Sequence, residues 1–259
     1  MKRTAILAAA ALALAALSWA GTEEFHWSGK VAAGAAVEIK GVNGAIVAAG
    51  APGADVEVTA VKKGRKSDPA EVKIEVVEHA GGVTICAVYP STGAPNECQP
   101  GEGGRMKVRD NDVNVEFRVK VPAGVRFVGR TVNGGIEASG IKADAEAHTV
   151  NGGVELDATG TAQAETVNGG ITARLGRADW DGTLKLKTVN GGIDVVLPEG
   201  LSAEVKASTV NGDIQTDFPL TVTGRISRRK LQGTIGAGGR LLEMETVNGG
   251  IELRKAGAK

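Results

Sequence analysis

The amino-acid sequence predicts an all-β fold: a single-domain β-solenoid, or β-helix, built from rungs of about 20 residues. Three observations carry this expectation. The hexapeptide Thr131-Val132-Asn133-Gly134-Gly135-Ile136 returns almost unchanged from Thr149, Thr166, Thr188, Thr209 and Thr246, at start-to-start intervals of 18, 17, 22, 21 and 37 residues. Glycine supplies 38 of 259 residues and aromatics only 3%, a composition suited to a narrow interior of small and β-branched side chains. After each Asn-Gly the pattern has a period of two: Ile136, Val154, Ile171, Ile193, Ile214 and Ile251 are followed two residues later by Ala138, Leu156, Ala173, Val195, Thr216 and Leu253. Polar Glu137, Glu155, Thr172, Asp194, Gln215 and Glu252 lie between them, as expected of half-buried strands.

Residues 1–20 read as a signal peptide. Met1-Lys2-Arg3 is a basic start, Thr4 to Leu17 is rich in Ala and Leu, and Ser18-Trp19-Ala20 puts small residues at both specificity positions of a cleavage site. The apolar run is shorter than the roughly 20 residues that a membrane span needs. The expected product is exported, periplasmic or secreted after cleavage following Ala20, with no transmembrane segment in the mature chain.

Residues 21–130 are expected to be the irregular β-rich part of the same solenoid. Val42-Asn43-Gly44-Ala45-Ile46 is a worn copy of the repeat, and alternating runs cover Asp55 to Val61, Glu71 to Val77, Val83 to Val88 and Asp112 to Val121. Cys86 and Cys98 are the only cysteines. An even count in an exported chain predicts a disulfide between them, closing the loop that holds Tyr89 to Glu97.

Residues 131–255 form the regular repeat region, followed by a tail at 256–259. The interval of 37 residues divides at Leu231-Gln232-Gly233-Thr234-Ile235, which reads as a further worn rung. Asn-Gly flanked by apolar residues is also a hairpin signal, because both residues tolerate the positive φ of a tight turn. The fidelity of the whole hexamer decides for the solenoid. Alternate turns of a meander lie about 9.6 Å apart, whereas solenoid corners stack at about 4.8 Å, where one Asn amide can bond the next. Asn43, Asn133, Asn151, Asn168, Asn190, Asn211 and Asn248 are therefore expected to form a corner ladder, with Asn248 on the terminal rung. Val132, Val150, Val167, Val189, Val210 and Val247 are expected to point inward, as a second aliphatic column beside the isoleucines.

Charge is balanced at 30 basic and 30 acidic residues, which disfavours wholesale nucleic-acid binding. Two basic clusters stand out: Lys62-Lys63-Gly64-Arg65-Lys66, and Arg225 with Arg228-Arg229-Lys230. Both read first as solvated loops guarding strand edges and second as docking sites for anionic lipid or polysaccharide. His26, His79 and His148 are scattered through the sequence. No pair of carboxylates, nucleophile elbow or phosphate loop can be placed, so no catalytic, cofactor-binding or metal residue is expected and no cofactor is assigned.

The combination of a signal peptide, Val83-Thr84-Ile85-Cys86-Ala87-Val88-Tyr89-Pro90, the turns Val121-Pro122-Ala123-Gly124-Val125 and Leu197-Pro198-Glu199-Gly200-Leu201, and the repeated Thr-Val-Asn-Gly-Gly/Asp-Ile resembles the bacterial "putative adhesin" family, also called domain of unknown function 4097. The resemblance is densest from Val113 to Leu253 and implies an extracytoplasmic β-solenoid with no catalytic residues to carry over. The expected function is that of a non-catalytic envelope protein, structural or adhesin-like, whose partner is a protein or an envelope polysaccharide. The alternative is a glycan-binding or glycan-processing β-helix. An ice-binding array ranks third, since the repeat intervals are uneven.

Overall fold

The computed structural model describes residues 21–222 and 227–257. The expected signal peptide at 1–20, Arg225 and residues 258–259 of the tail lie outside the described residues. The N-terminal part contains β1 (Thr22–Lys30), β2 (Ala36–Lys40), β3 (Ile46–Ala51), β4 (Asp55–Lys63), β5 (Lys73–His79), β6 (Gly82–Val88) and β7 (Asn114–Pro122). Strands then follow in pairs: β8 (Arg126–Arg130) with β9 (Ile136–Ile141), β10 (Ala145–His148) with β11 (Val154–Ala158), and β12 (Ala162–Glu165) with β13 (Ile171–Leu175). The series continues with β14 (Thr183–Lys187) and β15 (Ile193–Leu197), then β16 (Ala203–Ser208) and β17 (Ile214–Thr216). It finishes with β18 (Thr221–Val222), β19 (Lys230–Ile235), β20 (Arg240–Glu245) and β21 (Ile251–Lys255).

These strands build an all-β solenoid of two facing sheets, each rung giving one strand to each sheet. One sheet runs β1-β4-β7-β3-β9-β11-β13-β15-β21-β17 and the other β18-β19-β16-β20-β14-β12-β10-β8-β2-β6-β5. Pairing is parallel through the middle of both, from β7 to β17 and from β6 to β16. It becomes antiparallel at the ends, at β1–β4–β7, β5–β6 and β16–β19–β18. Facing side chains such as Phe127, Leu156, Ile171, Leu186, Val195 and Met244 fill the space between the sheets and are all but fully buried, which supplies the main driving force for stacking.

In every rung that carries the repeat, the same corner joins the two strands. Thr131–Gly135 separates β8 from β9, and the equivalent stretches separate β2 from β3, β10 from β11, β12 from β13, β14 from β15, β16 from β17 and β20 from β21. The opposite corners vary in length, from 142–144 to 176–182. They absorb the uneven intervals of the sequence.

Two expectations about rung order are corrected. Leu231–Ile235 is not a rung: it lies in β19, which pairs antiparallel with β16 at the sheet edge. Asn248 is not terminal, because β20 and β21 intercalate between the β14/β15 rung and the β16/β17 rung. The chain passes over one rung position, makes the outer rung, and returns to fill the gap. The other end has a matching inversion, with β6/β7 outside β2/β3, on which β8 and β9 stack directly. The 176–182 loop holds the intercalated strand: Trp180 Nε1 donates to Leu241 O at 3.2 Å, Arg240 Nε donates to Trp180 O at 3.0 Å, and the Arg240 guanidinium lies over the indole.

Candidate functional site

The recurring corner is held by three sets of hydrogen bonds. Six side-chain bonds join the seven asparagines in the spatial order 43, 133, 151, 168, 190, 248, 211: the Nδ2 of each Asn after Asn43 donates to the Oδ1 of the one before it at 2.7–2.9 Å. At six of the seven corners the first glycine N–H donates to the next Asn carbonyl, as Gly152 does to Asn168 at 2.9 Å, and Gly212 on the end rung is the exception among the described residues. Each corner Thr hydroxyl donates to the first-glycine carbonyl of the rung before it, as Thr166 does to Gly152 at 2.9 Å and Thr246 to Gly191 at 2.8 Å.

The first glycine is required by stacking. A methyl at Gly152 would overlap the Gly134 carbonyl, and one at Gly191 the Gly169 carbonyl. At the second glycine a methyl on Gly153 would sit 3.5 Å from Gly170 O, ordinary contact, and the chain itself carries Ala45 and Asp213 at that position. No corner Asn has the positive φ that a hairpin reading requires; Asp110 is the one non-glycine residue with positive φ among the described residues.

The corner valines do not point inward. Val132, Val150, Val167, Val189 and Val247 are 38–39% exposed and Val210 is 54% exposed, while the neighbouring threonines are buried. Strand alternation sets this phase: Ala147 and Thr149 face in, His148 and Val150 face out. A hydroxyl is tolerated inside because it finds a stacked carbonyl. The other aliphatic column is buried at Ile136, Val154, Ile171, Ile193 and Ile251, with Ile214 half-buried on the end rung.

The result is an aliphatic ridge along one edge of the solenoid. One flank is a groove of about 570 Å³ between Val167, Val189, Val210 and Val247 and the outward residues His148, Glu165, Lys187, Ser208 and Glu245. Charges on this flank are cross-linked. Arg130 pairs with Glu38 at 3.0 Å and Glu146 at 2.9 Å, His148 Nε2 lies 2.7 Å from Glu146, and Lys187 lies 2.9 Å from Glu245. The His148 hydrogen bond, aided by the charges of His148, Arg130 and Arg126, holds the Glu146 carboxyl below its ordinary value against the opposing effect of burial. The hydrogen bond and charge of Glu245, with Glu243 beside it, raise the Lys187 ammonium. The other flank is an open groove beside Glu137, Glu155 and Thr172.

At the N-terminal end, Cys86 and Cys98 are disulfide-bonded with Cα atoms 5.7 Å apart. The loop beyond Cys98 packs back on the sheet. Lys40 Nζ donates to the carbonyls of Gln99, Gly101 and Gly103 at 2.6–2.8 Å, and burial pulls its pKa down. Glu38, itself buried, accepts from Thr84 Oγ1 at 2.8 Å and from the Gly101 N–H at 2.9 Å. Tyr89 is buried with its hydroxyl donating to Val113 O at 2.8 Å, and burial pushes that hydroxyl up to about 12.

The Lys62–Lys66 segment is split: Arg65 and Lys66 lie exposed beyond β4, whereas the two lysines within the strand are engaged. Lys62 is buried in β4 with Nζ bonded to Val72 O and paired with Glu23, and Lys63 pairs with Glu116. His26 lies beside Thr59, and His79 beside Thr84. Among the described residues no three His, Cys, Asp or Glu side chains gather as a metal site, and no helix is long and apolar enough to cross a membrane.

Comparison with known proteins gives a family. No curated protein matches the sequence. Solved structures that align with the chain include a "putative cell adhesion protein" from Clostridium sporogenes ATCC 15579, at 12% identity and TM-score 0.48, covering 91% of this chain and 100% of that one, and a "putative adhesin" from Bacteroides fragilis NCTC 9343, at 10% identity and TM-score 0.34, covering 90% and 97%. The family model described as Toastrack DUF4097 matches residues 101–254, from the loop beyond Cys98 through the intercalated rung, and the chain belongs to that family.

Proposed function

We propose that the protein is a non-catalytic, exported envelope protein that works as an adhesin-like interaction solenoid, presenting its corner ridge to a partner protein. One observation carries this reading. Six valines stand exposed in a single column on a backbone whose recurrent polar atoms are already consumed in holding the rungs together. A contiguous aliphatic strip rimmed by charged and polar residues is the pattern of a protein-contact surface. The ridge carries no aromatic side chain on which a sugar could stack.

The test uses the native protein and intact envelopes. Val150→Lys together with Val167→Lys should abolish capture of the partner that the wild type retains, with the denaturation midpoint unchanged. Undiminished capture would overturn the proposal. The groove beside Glu137, Glu155 and Thr172 favours polysaccharide as the second reading. A glycan hit lost in Glu137→Gln/Glu155→Gln but kept in the valine variant would move function to that groove, and new reducing ends would make it a glycan-processing site.

A further inference from the structure

The ladder repeats a chemically labile dipeptide, and the structure treats its copies unequally. In Asn-Gly the glycine nitrogen can attack the Asn side-chain carbonyl, since no side chain on the glycine hinders the approach. At six corners this nitrogen is occupied. Gly44 donates to Asn133 O, Gly134 to Asn151 O, Gly152 to Asn168 O, Gly169 to Asn190 O, Gly191 to Asn248 O and Gly249 to Asn211 O, all at 2.8–3.0 Å. Asn211 lies on the outermost rung of the corner stack, and among the described residues the Gly212 N–H has no acceptor. The carbonyls of Arg229 and Arg228 accept from the Thr209 and Ile214 N–H groups on either side of it, and two features of the end position leave this corner less covered than the others. Asn211 Oδ1 accepts no bond from a further ladder amide, whereas the Oδ1 of each other ladder Asn does. Val210 is 54% exposed against 38–39% for its equivalents.

The geometry points to Asn211-Gly212 as a site of spontaneous covalent modification, the one corner at which deamidation proceeds in the folded protein. The Gly212 nitrogen loses its proton and bonds to Asn211 Cγ. The Cγ–Nδ2 bond breaks and the side-chain nitrogen leaves as ammonia, carrying the proton away. The five-membered imide then takes up water at one of its two carbonyls and opens to aspartate or isoaspartate, with no change of oxidation state. The product removes the amide that bonds Asn248 Oδ1 at 2.8 Å and places a carboxylate beside Asp213. The end rung thereby loses its Asn tie to the stack, and of its corner side-chain ties keeps only the Thr209 hydroxyl bond to Gly249 O at 2.8 Å.

The experiment is peptide mapping of the full folded chain during prolonged incubation at mildly alkaline pH, with the denatured chain as reference for intrinsic rates. Conversion is read as a mass gain of water minus ammonia and by isoaspartate-specific methylation. Asn211 should convert at least about tenfold faster than the six stacked asparagines in the folded protein, the order expected for one intact backbone hydrogen bond. The advantage should vanish on denaturation. Asp213→Gly makes the local sequence identical to the inner copies, and the positional advantage should survive it. Equal rates at all seven sites in the folded chain would overturn the inference. So would an unmodified Asn211 that converts once denatured, or loss of the advantage in Asp213→Gly.

Discussion

At the residue scale the corner assigns one task to each side chain. Asn connects laterally, Thr ties inward, Val faces out and the first Gly permits contact between stacked backbones. Asn168, Asn190 and Asn248 each bond two neighbours, while Asn211 bonds one. Replacing any of the first three with Ala should cost about 1 to 3 kcal/mol, and Asn211→Ala about half as much. Chemical denaturation of the four variants checks this, and a loss at Asn248 as small as that at Asn211 would contradict the intercalated position of its rung. Glycine gives a sharper contrast: Gly152→Ala meets the Gly134 carbonyl and should cost about 2 to 3 kcal/mol, while Gly153→Ala should stay under about 1 kcal/mol. The ladder was legible from sequence because identity at every copy has no explanation in an isolated turn. The valine and threonine roles were not, because ranking residues by apolarity puts Val inside. Only the strand phase carried through Ala147 and Thr149, and the stacked carbonyl waiting for the hydroxyl, reverse that order.

At the element scale, fixed corners and variable corners divide the labour. The fixed corner sets rung register, and the variable one accepts the 176–182 loop that clamps β20. Charged cross-links on the outer face add a pH dependence. The folded Glu146 carboxyl titrates below its ordinary 4.5, so its contribution is fully present above that value and is lost as pH falls through the lower folded one. Glu146→Gln should therefore destabilise the protein at neutral pH, and its deficit should shrink well below pH 4.5, measured by urea denaturation at both. The disulfide spans a sequence separation of 12 residues, for which the chain-entropy estimate is about 3 kcal/mol. A Cys86→Ser/Cys98→Ser double variant should lose about that much, read from the denaturation midpoint, and hydrogen exchange should quicken first in the 99–104 segment that cages Lys40. The sequence disclosed this pairing through the cysteine count alone. It concealed the buried Lys62, since a run of basic residues on an alternating strand looks the same whichever face is covered.

At the scale of the whole molecule, period and fold class were readable, but rung order was not. Equivalent copies carry equivalent bonding groups, so nothing in the hexapeptide at Thr246 says which neighbour it stacks on. The interval of 37 residues between the last two copies was the trace of the detour through β18 and β19. A chain stopped after Gly239, lacking β20 and β21, should lose hydrogen-exchange protection through β16–β19 and along the exposed edges of β14 and β15, while β8–β13 stay protected. A simple array would lose only its end repeat, because its repeats contact nearest neighbours in chain order. The intercalated rung thus changes how the protein comes into being. A solenoid emerging from a ribosome or a translocation pore can ordinarily close one coil at a time. In this one an earlier coil waits, with open strand edges on both sides of an empty slot, until the last described rung arrives. Long-range closure of that kind is slow and leaves edges open to wrong partners, so the interval before β21 docks is when this chain most needs protection from its own copies.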